Sequence, residues 1–571
     1  MNIELLFMPQ HDPALPHSAL PHLRGYLSRY LPDLNIKCLD LNLEFYKHVI
    51  GDDYLPTLLY YRKKMAESVS IQLCCKVAID FEDWLNDKFK IWSKHWHGYN
   101  LTTRYLDTPF NRQSPESIQA FMNSTTPFDS FFLNFINSSE ANLIGINLTV
   151  EDQILPSFKY AHLMRVNKPR CKIIFGGSLL SRIYPLVIDN FSKLIDYVII
   201  REGEEPLLSL VNFLSGKISY PQYEPRIIDT SEKNKIEIVR NFDEELNIHT
   251  KIEYTGKQDF THLSIYDYLN LEPMLPILAS RGCYWGKCKF CTIHKSWDTK
   301  KRTRDVIEIF SEITDLVKKT GIKNYRFVDE ACPPKILRPL TKLLIESNLD
   351  ISFEIYGIAD SNYLDQKFIH SLSNAGCKQI FFGLESIDQS ALSIMGKNIN
   401  NTNDLPIIFK NCSDAGIHVY AFALFGYPGV GKEANLKTID FLINETNIHT
   451  VAIGSFVPVI GSIFAFENAN LLHHSGQMTE DFDTIIINDN YVKARNLGKD
   501  DAKNAIVTVL SNRKDLSITS ILSDETRFLL TKRFTNKFAQ IVCEELPLSS
   551  INDNSSIIAK AIRQRVQRGT A

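Results

Sequence analysis

The chain has 571 residues, enough for roughly three or four domains at about 150 residues each. Hydrophobic residues make up 44% and charged residues 23%, a balance that is typical of a globular protein and excludes a disordered, collagenous or membrane-spanning chain. The 63 Lys and Arg residues nearly cancel the 66 Asp and Glu residues, and the resulting net charge of -3 does not favour a nucleic-acid partner. Because the sequence shows neither a membrane helix nor a signal peptide at its start, we expect a cytoplasmic protein with no membrane partner.

The first third of the chain alternates short apolar runs with helical stretches. Five runs are candidate strands: 2–8, 36–41, 143–149, 172–175 and 195–200. This alternation predicts a parallel sheet covered by helices, which is an α/β fold. Ligands bind at the carboxyl ends of strands in open sheets of this kind. We therefore expect one ligand crevice, lined by the loops that begin at Pro9, Thr149, Gly176 and Arg201.

Two further segments separate this region from the rest of the chain. Residues 50–140 form an insertion with aromatic side chains at helical spacing. The insertion is either a helical layer that covers the sheet or a cap over a substrate. Residues 216–270 begin with a proline-rich stretch and continue as a charged segment that is poor in strands, and we interpret them as a connector.

A second α/β series follows the connector. Its candidate strands are 275–280, 324–329, 351–356, 379–384, 417–425 and 450–456. The segments 304–319 and 335–347 between them have helical periodicity. Six strands with five crossovers predict a partial barrel or a second open sheet over residues 271–465, while residues 466–571 form a small C-terminal region to which the sequence assigns no role.

Three of the eleven cysteines lie close together in the sequence. The segment RGCYWGKCKFC places Cys283, Cys288 and Cys291 directly after a predicted strand, and Gly286 allows a tight turn between them. Their thiolates can converge on one metal centre. With His294 they would complete a tetrahedral zinc site, whereas an iron-sulfur cluster held by the three thiolates would leave one iron open to a substrate. The repeating α/β context favours the cluster, because zinc modules are usually small and self-standing.

The end of this segment, Cys-Lys-Phe-Cys, resembles the CxxxCxxC loop of radical S-adenosylmethionine (SAM) enzymes, with one extra residue between the first two cysteines. This longer form is similar to a variant in subfamilies that carry a cobalamin-binding domain. The resemblance implies a partial (β/α)6 barrel and a four-iron four-sulfur cluster on Cys283, Cys288 and Cys291. It also implies that the open iron chelates the methionine moiety of SAM.

The same resemblance implies which residues contact SAM: Phe290, Asp329, Glu330, Glu385 and Ser386. The first lies in the aromatic position before the third cysteine. The acidic pair at the end of the second strand would contact the methionyl ammonium, and the Glu-Ser pair at the end of the fourth strand the ribose or methionyl groups. Either carboxylate group could instead be a solvated helix cap.

A glycine-rich turn after the fifth strand, GYPGVGK at 426–432, has nearly the spacing of a phosphate-binding loop. Glu433 stands where such a loop needs Ser or Thr, and Pro428 removes a backbone donor. The turn is instead similar to the Gly-Tyr/Phe-Pro-Gly turn of radical SAM enzymes.

Residues 1–215 resemble the Rossmann-like cobalamin-binding domain that precedes the radical domain in one large subfamily. The resemblance rests on FGGS at 175–178 and on DYVIIREGEEP at 196–206. The cobalamin contacts that it implies are Thr149, Gly176, Gly177, Ser178, Glu202, Gly203 and Glu204. The Asp-x-His-x-x-Gly sequence that supplies a cobalt ligand in other cobalamin proteins is missing, which implies cobalamin bound without a protein histidine or a degenerate domain.

Together these resemblances imply a cobalamin-dependent radical SAM methyltransferase. Its substrate would be an unactivated carbon or phosphorus of a peptide or secondary metabolite, and an external donor such as flavodoxin or ferredoxin would supply the electron. A radical SAM enzyme that performs a cyclisation, rearrangement or epimerisation is the alternative within the family. A methylthiotransferase is less favoured, because the chain lacks an N-terminal cysteine trio. A zinc-stabilised binding protein without catalysis is the alternative outside the family.

Overall fold

The computed structural model describes residues 1–219 apart from 104 and 113, residues 224, 226–231, 256–293, 301–456, 458–459, 461–468, 517–518 and 524–534. The alternative zinc ligand His294 and most of the C-terminal region 466–571 lie outside these residues. Two sheets, both largely parallel, dominate the described part of the chain. The predicted α/β fold class is therefore confirmed.

The N-terminal strands are β1 (Asn2–Phe7), β2 (Asn35–Asp40), β3 (Asn100–Leu101), β4 (Leu106–Asp107), β5 (Leu143–Asn147), β6 (Lys172–Gly176), β7 (Tyr197–Ile199) and β8 (Ile227–Asp229). β3 and β4 form a small antiparallel hairpin. The other six form one sheet in the order β2-β1-β5-β6-β7-β8, in which β8 alone is antiparallel to its neighbour. All five predicted strands belong to this sheet. β8 lies in the predicted connector, and three residues are too few for a periodic signal in the sequence.

The helices of this half are α1 (Ala19–Tyr30), α2 (Leu41–Ile50), α3 (Tyr54–Glu67), α4 (Ile71–His95), α5 (Pro115–Asn123), α6 (Asp129–Ser138), α7 (Ile154–Asn167), α8 (Leu180–Phe191) and α9 (Glu204–Leu214). They cover both faces of the sheet. Successive strand residues point to opposite faces, so each strand contributes side chains to both cores. Leu5 packs into the core that includes α1 and α9, whereas Leu6 packs into the core that includes α2, α7 and α8.

The insertion at 50–140 forms a layer on the second of these faces. Phe81, Phe121 and Phe132 are buried in the same core as Ile144 and Ile146 of the sheet. This packing agrees with the interpretation of the insertion as a covering layer, because burying aromatic area on a sheet face is a large stabilising contribution.

The second set of strands is β9 (Met274–Ile277), β10 (Ser280–Arg281), β11 (Arg302–Thr303), β12 (Asn324–Phe327), β13 (Ser352–Gly357), β14 (Cys377–Glu385), β15 (His418–Phe425), β16 (Thr450–Ser455) and β17 (Ser517–Ile518). Seven of them form a parallel sheet in the order β9-β12-β13-β14-β15-β16-β17, and β10 pairs with β11 in a short antiparallel ribbon. The six long strands follow one another in chain order, as the predicted partial (β/α)6 barrel requires.

The helices of this half are α10 (Val306–Thr320), α11 (Pro334–Glu346), α12 (Gln366–Asn374), α13 (Gln389–Ile394), α14 (Leu405–Asp414), α15 (Lys432–Asn444), α16 (Ile463–Glu467) and α17 (Asp524–Phe534). Alternate strand residues such as Tyr325, Phe353 and Phe382 pack outward against the helix layer. Arg326, Glu354 and Gln379 occupy the opposite parity on neighbouring strands.

The last described helix, α17, contacts both halves of the molecule. Glu525 pairs with Arg326 at 2.8 Å, and Lys532 and Arg533 both bind Glu272 just before β9. Leu529 and Leu530 are buried in the core of the N-terminal half. Among the described residues, no helix is both long and apolar enough to cross a membrane.

Candidate active site

A cavity of about 620 Å³ lies between the two parallel sheets. The N-terminal half contributes residues at the carboxyl ends of its strands, including His11, Thr149 and Gly176. The barrel contributes Cys291 and Glu330. None of the described residues of the insertion at 50–140 lines it. The loops predicted to line one crevice therefore face the cysteine segment across a shared space.

A buried network of charges closes one side of this cavity. The Glu204 carboxylate accepts hydrogen bonds from both terminal nitrogens of Arg281, and Glu202 binds Arg281 at 3.5 Å and Arg302 at 2.8 Å. Burial by itself would raise the pKa of Glu204, but the charge and hydrogen bonds of Arg281, together with a backbone hydrogen bond and the charge of Arg226, outweigh it and lower that pKa. The pKa of Arg281 is raised, because Glu204 and Glu202 outweigh the effect of its burial.

The cysteine loop follows β10 and is held by hydrogen bonds at several points. Gly282 and Gly286 have positive φ values of 79° and 63°. The Trp285 indole Nε1 donates to the Gly396 carbonyl at 2.8 Å, and the Tyr284 hydroxyl donates to Asp360 at 3.0 Å. Tyr284 and Trp285, which lie between the first two cysteines, thus attach the loop to the barrel.

The loop after α13 also supports the cysteine segment. The Lys289 amide donates to the Met395 carbonyl at 2.9 Å. Gly396 has a φ of 74°, and a Cβ there would overlap the Lys287 carbonyl oxygen. Tyr427, from the glycine-rich turn, is buried with Met395 and packs near Phe290. The glycine-rich turn therefore packs against the cysteine loop.

The three thiols are partly exposed and close enough to influence one another electrostatically. The pKa of Cys288 is raised to about 12, chiefly by burial; Lys397 opposes this shift, and the neighbouring thiols add to it. Burial likewise raises the pKa of Cys291. Within the described residues, no three His, Cys, Asp or Glu side chains are arranged to hold a single metal ion. Three thiolates on one short loop are a ligand set that an iron-sulfur cluster can use, with one thiolate on each of three irons.

Lys397 is a buried cation beside the cysteine loop. Its ammonium binds Glu385 at 2.7 Å. Burial alone would lower the pKa of Lys397, but Glu385 and the Cys288 thiol outweigh it and raise that pKa. Glu385 has a φ of 59° at a bulge in β14, which directs this strand end to Lys397. A positive charge here suits a site that is to hold thiolates.

The predicted SAM contacts lie at the barrel mouth, but they differ in whether their side chains are already hydrogen-bonded within the protein. Asp329 uses one carboxylate oxygen on the Ala279 amide at 3.0 Å and the other on the Ser280 hydroxyl, and burial raises its pKa. Glu330 is exposed and lines the cavity. The Ser386 hydroxyl lies 3.0 Å from that of Thr438. Of the acidic pair Asp329 and Glu330, Glu330 is thus the one that faces the space between the two halves.

The predicted cobalamin contacts all lie at the carboxyl edge of the N-terminal sheet. All seven of them line the cavity, but their side chains make different contacts. Gly177 has a φ of 112°, and a Cβ there would overlap the backbone of Leu148. The Thr149 hydroxyl donates to Asn147 at 2.6 Å. Because Glu202 and Glu204 are bound by arginines, the structure gives them a role in joining the two halves.

Several residues at the cavity were not identified from the sequence. Arg281 and Arg302 looked like ordinary basic residues beside the cysteine segment. His11, His17 and His22 also line the cavity, and their recurrence in the proline-containing stretch 9–22 was the available signal.

Residues 277–442 match the model of the Radical SAM superfamily. This part of the chain is a radical SAM domain. The match includes the cysteine loop and the first five strands of the barrel, and it supports the predicted four-iron four-sulfur cluster and SAM. The chain is also 25% identical over 171 residues to an uncharacterized methyltransferase, PH0819, of Pyrococcus horikoshii, covering 30% of this chain and 36% of the relative. The chain spans less than two thirds of the length of the curated relatives it matches.

Two solved structures align with 100% of this chain. The radical SAM methyltransferase TsrM from Kitasatospora setae, with tryptophan and a SAM analogue bound, has a TM-score of 0.58 at 12% identity, with 100% of both chains covered. The cobalamin-dependent radical enzyme OxsB, with aqua-cobalamin and SAM bound, has a TM-score of 0.60 at 13% identity, with 80% of its chain covered. At these identities the likeness shows the fold: an N-terminal Rossmann-like domain followed by a radical SAM barrel.

Proposed function

We propose that this protein is a cobalamin-dependent radical SAM methyltransferase. The observation that carries the proposal is the single cavity that connects the carboxyl edge of the N-terminal sheet with Cys291 of the radical SAM domain. A methyl carrier on the sheet and a radical source on the barrel would share this space with a substrate. The two solved structures of this fold support the proposal, because one is described as a methyltransferase and the other as cobalamin-dependent.

The residues around the cavity fit both groups. Cys283, Cys288 and Cys291 would hold the cluster, and the cavity wall at Thr149 and Gly176 would receive the corrin. When bound, these groups supply a 5'-deoxyadenosyl radical from SAM and a transferable methyl group. The protein's own contribution is to hold the two domains together through buried ion pairs and to exclude water from the space between them.

We infer that the methyl acceptor is an unactivated carbon or phosphorus of a peptide or secondary metabolite. A sheltered site is needed for such centres, because a carbon radical would otherwise react with protein C–H bonds. An external flavodoxin or ferredoxin would deliver the electron. Lys287, exposed beside Cys288, offers a positive charge to an acidic carrier at this loop.

Metal analysis tests the cofactor assignment. The protein is reconstituted anaerobically with iron, sulfide and hydroxocobalamin, desalted, and analysed by mass spectrometry for iron, zinc and cobalt. We expect iron at the level of one four-iron cluster, with cobalt bound in proportion to protein. Zinc without iron would contradict the radical SAM assignment for this chain, and iron without cobalt would contradict the cobalamin part.

Product analysis separates methyl transfer from rearrangement. Under reducing conditions with SAM and a candidate acceptor, methyl transfer produces S-adenosylhomocysteine together with 5'-deoxyadenosine. A cyclisation, rearrangement or epimerisation produces no S-adenosylhomocysteine. Formation of 5'-deoxyadenosine and product without S-adenosylhomocysteine would therefore replace methyl transfer with the second reaction class.

A further inference from the structure

His11 lies in the loop that follows β1, at the carboxyl edge of the N-terminal sheet. His11 lines the cavity on the wall formed by the N-terminal half, whereas Cys291 belongs to the wall formed by the barrel. The His11 amide donates to Asn42 at 2.9 Å, and the imidazole makes an edge contact with Phe7, with ring centroids 5.2 Å apart. These contacts fix both the backbone and the ring.

The tautomer of His11 follows from its hydrogen bond. Nδ1 lies 3.1 Å from the Asp12 carbonyl oxygen, which can only accept, so Nδ1 carries the proton. Nε2 of the neutral ring then has a free lone pair, and among the described residues it has no hydrogen-bond partner. Burial lowers the pKa of His11, which keeps the ring neutral. An imidazole held by an Nδ1–H to a backbone carbonyl is the usual arrangement of a metal ligand that binds through Nε2.

The two other histidines of the cavity lack this arrangement. Nδ1 of His17 accepts a hydrogen bond from the Ala19 amide at 3.3 Å. The proton of the neutral His17 ring therefore resides on Nε2, which then has no lone pair for a metal. Both nitrogens of His22 are fully buried, so neither presents a lone pair at the cavity surface. Of these three histidines, His11 is therefore the one whose Nε2 has a lone pair available for a metal ion in the cavity.

We propose that Nε2 of His11 is an axial ligand to cobalt, on the corrin face that points to the N-terminal sheet. This inference rests on the proposed binding of cobalamin. It differs from the expectation based on the missing Asp-x-His-x-x-Gly sequence, because here the histidine comes from a Pro-Gln-His-Asp-Pro loop. The opposite face of the corrin would then be open toward Cys291 and the radical SAM domain, where a substrate has to approach both cobalamin and SAM.

Electron paramagnetic resonance of the cobalt(II) form tests the proposal without any turnover. A nitrogen ligand on the axis splits the cobalt hyperfine lines, and replacing ¹⁴N by ¹⁵N changes that splitting because the nuclear spins differ. The full-length protein is produced with ¹⁵N-histidine and loaded with unlabelled cobalamin. We expect the splitting of a ¹⁵N ligand. A ¹⁴N pattern would identify the benzimidazole of the cofactor as the ligand, and no splitting would mean no nitrogen ligand; both results would overturn the proposal.

Matched variants assign the signal to one residue. In His11→Ala the nitrogen splitting should be lost, and added imidazole should restore it by filling the vacated space. In His17→Ala, which removes a neighbouring ring at 5.7 Å, the splitting should persist. Loss of the splitting in His17→Ala with retention in His11→Ala would contradict the assignment.

Cobalt content separates this inference from the function it rests on. If the wild-type protein retains no cobalt after desalting, the cobalamin proposal fails and the ligand assignment fails with it. If cobalt is retained by the wild type and by His11→Ala, and both give the same spectrum, cobalamin binding stands and only the ligand assignment is wrong.

Discussion

Arg281 and Arg302 lie directly opposite each other in the antiparallel ribbon of β10 and β11, and both bind the carboxylate of Glu202. Like charges in such cross-strand positions repel, so the ribbon depends on acidic partners from the other half of the molecule. Glu202 and Glu204 supply them. Since Arg281 is two residues before Cys283, this contact also sets the start of the cysteine loop against the N-terminal sheet.

Removing one carboxylate from this network should cost much of the stability of the interface. In Glu204→Gln, Arg281 keeps its buried charge but loses its principal partner, and breaking a buried pair costs about 3–5 kcal/mol. We expect a lower midpoint of chemical unfolding than in the wild type. The control is Glu433→Gln, the same change at an exposed i,i+4 pair with Lys437, which should leave the midpoint nearly unchanged because solvent screens exposed pairs. Equal losses in the two variants would argue against a buried clamp.

Gly396→Ala should impair assembly of the cluster. Both the positive φ and the overlap of a new Cβ with the Lys287 carbonyl would displace the cysteine loop. Gly321→Ala is a matched control, because Gly321 has a similar φ of 69° but nothing within 4 Å of a Cβ. We expect the control to lose about 1 kcal/mol of stability and to retain iron. Measured iron per chain after reconstitution should fall in Gly396→Ala alone.

Cys288→Ala should abolish cluster formation and with it all cleavage of SAM. Two thiolates cannot hold a cluster that needs three while one iron stays open. Cys412→Ala provides the control, because Cys412 is fully buried in α14 and packs as a small hydrophobic residue. Production of 5'-deoxyadenosine is the measurement. Continued production by Cys288→Ala would refute the assignment of this cysteine.

Asp40 should make the protein less stable as the pH rises through mildly acidic values. Burial raises the pKa of Asp40 to about 6 from its ordinary value of 3.8, although hydrogen bonds from Tyr268 and the Leu43 amide oppose the shift. A raised carboxyl pKa favours the folded protein below the ordinary value, and this contribution is lost as the pH rises to about 6. The loss is on the order of 3 kcal/mol.

Asp40→Asn removes the titrating group and keeps a side chain that can cap α2. The difference in unfolding midpoint between wild type and variant should therefore change between about pH 4 and about pH 6.5, and remain constant above that range. Parallel midpoints of the two proteins across this range would show that Asp40 does not titrate in the folded state as its burial requires.

The sequence by itself determined the two α/β series and the cysteine segment of the radical SAM domain. Alternating apolar runs report local periodicity, and all eleven predicted strands appear in the two parallel sheets. Cys283, Cys288 and Cys291 are close along the chain, so a single loop brings them together whatever the rest of the fold does. Information of this kind is contained in short windows.

The tertiary structure decided which side chains face the cavity and which are already bound. The sequence predicts Glu202 and Glu204 as cobalamin contacts, but only the tertiary structure shows that Arg281 and Arg302, about 80 to 100 residues away, bind their carboxylates. Asp329 is occupied by Ala279 and Ser280 of a neighbouring strand end. His11 reaches the cavity because the loop after β1 lies at the sheet edge that shares this cavity with Cys291. Such pairings depend on contacts between segments that are distant in sequence, and hydrophobic periodicity along the chain does not predict them.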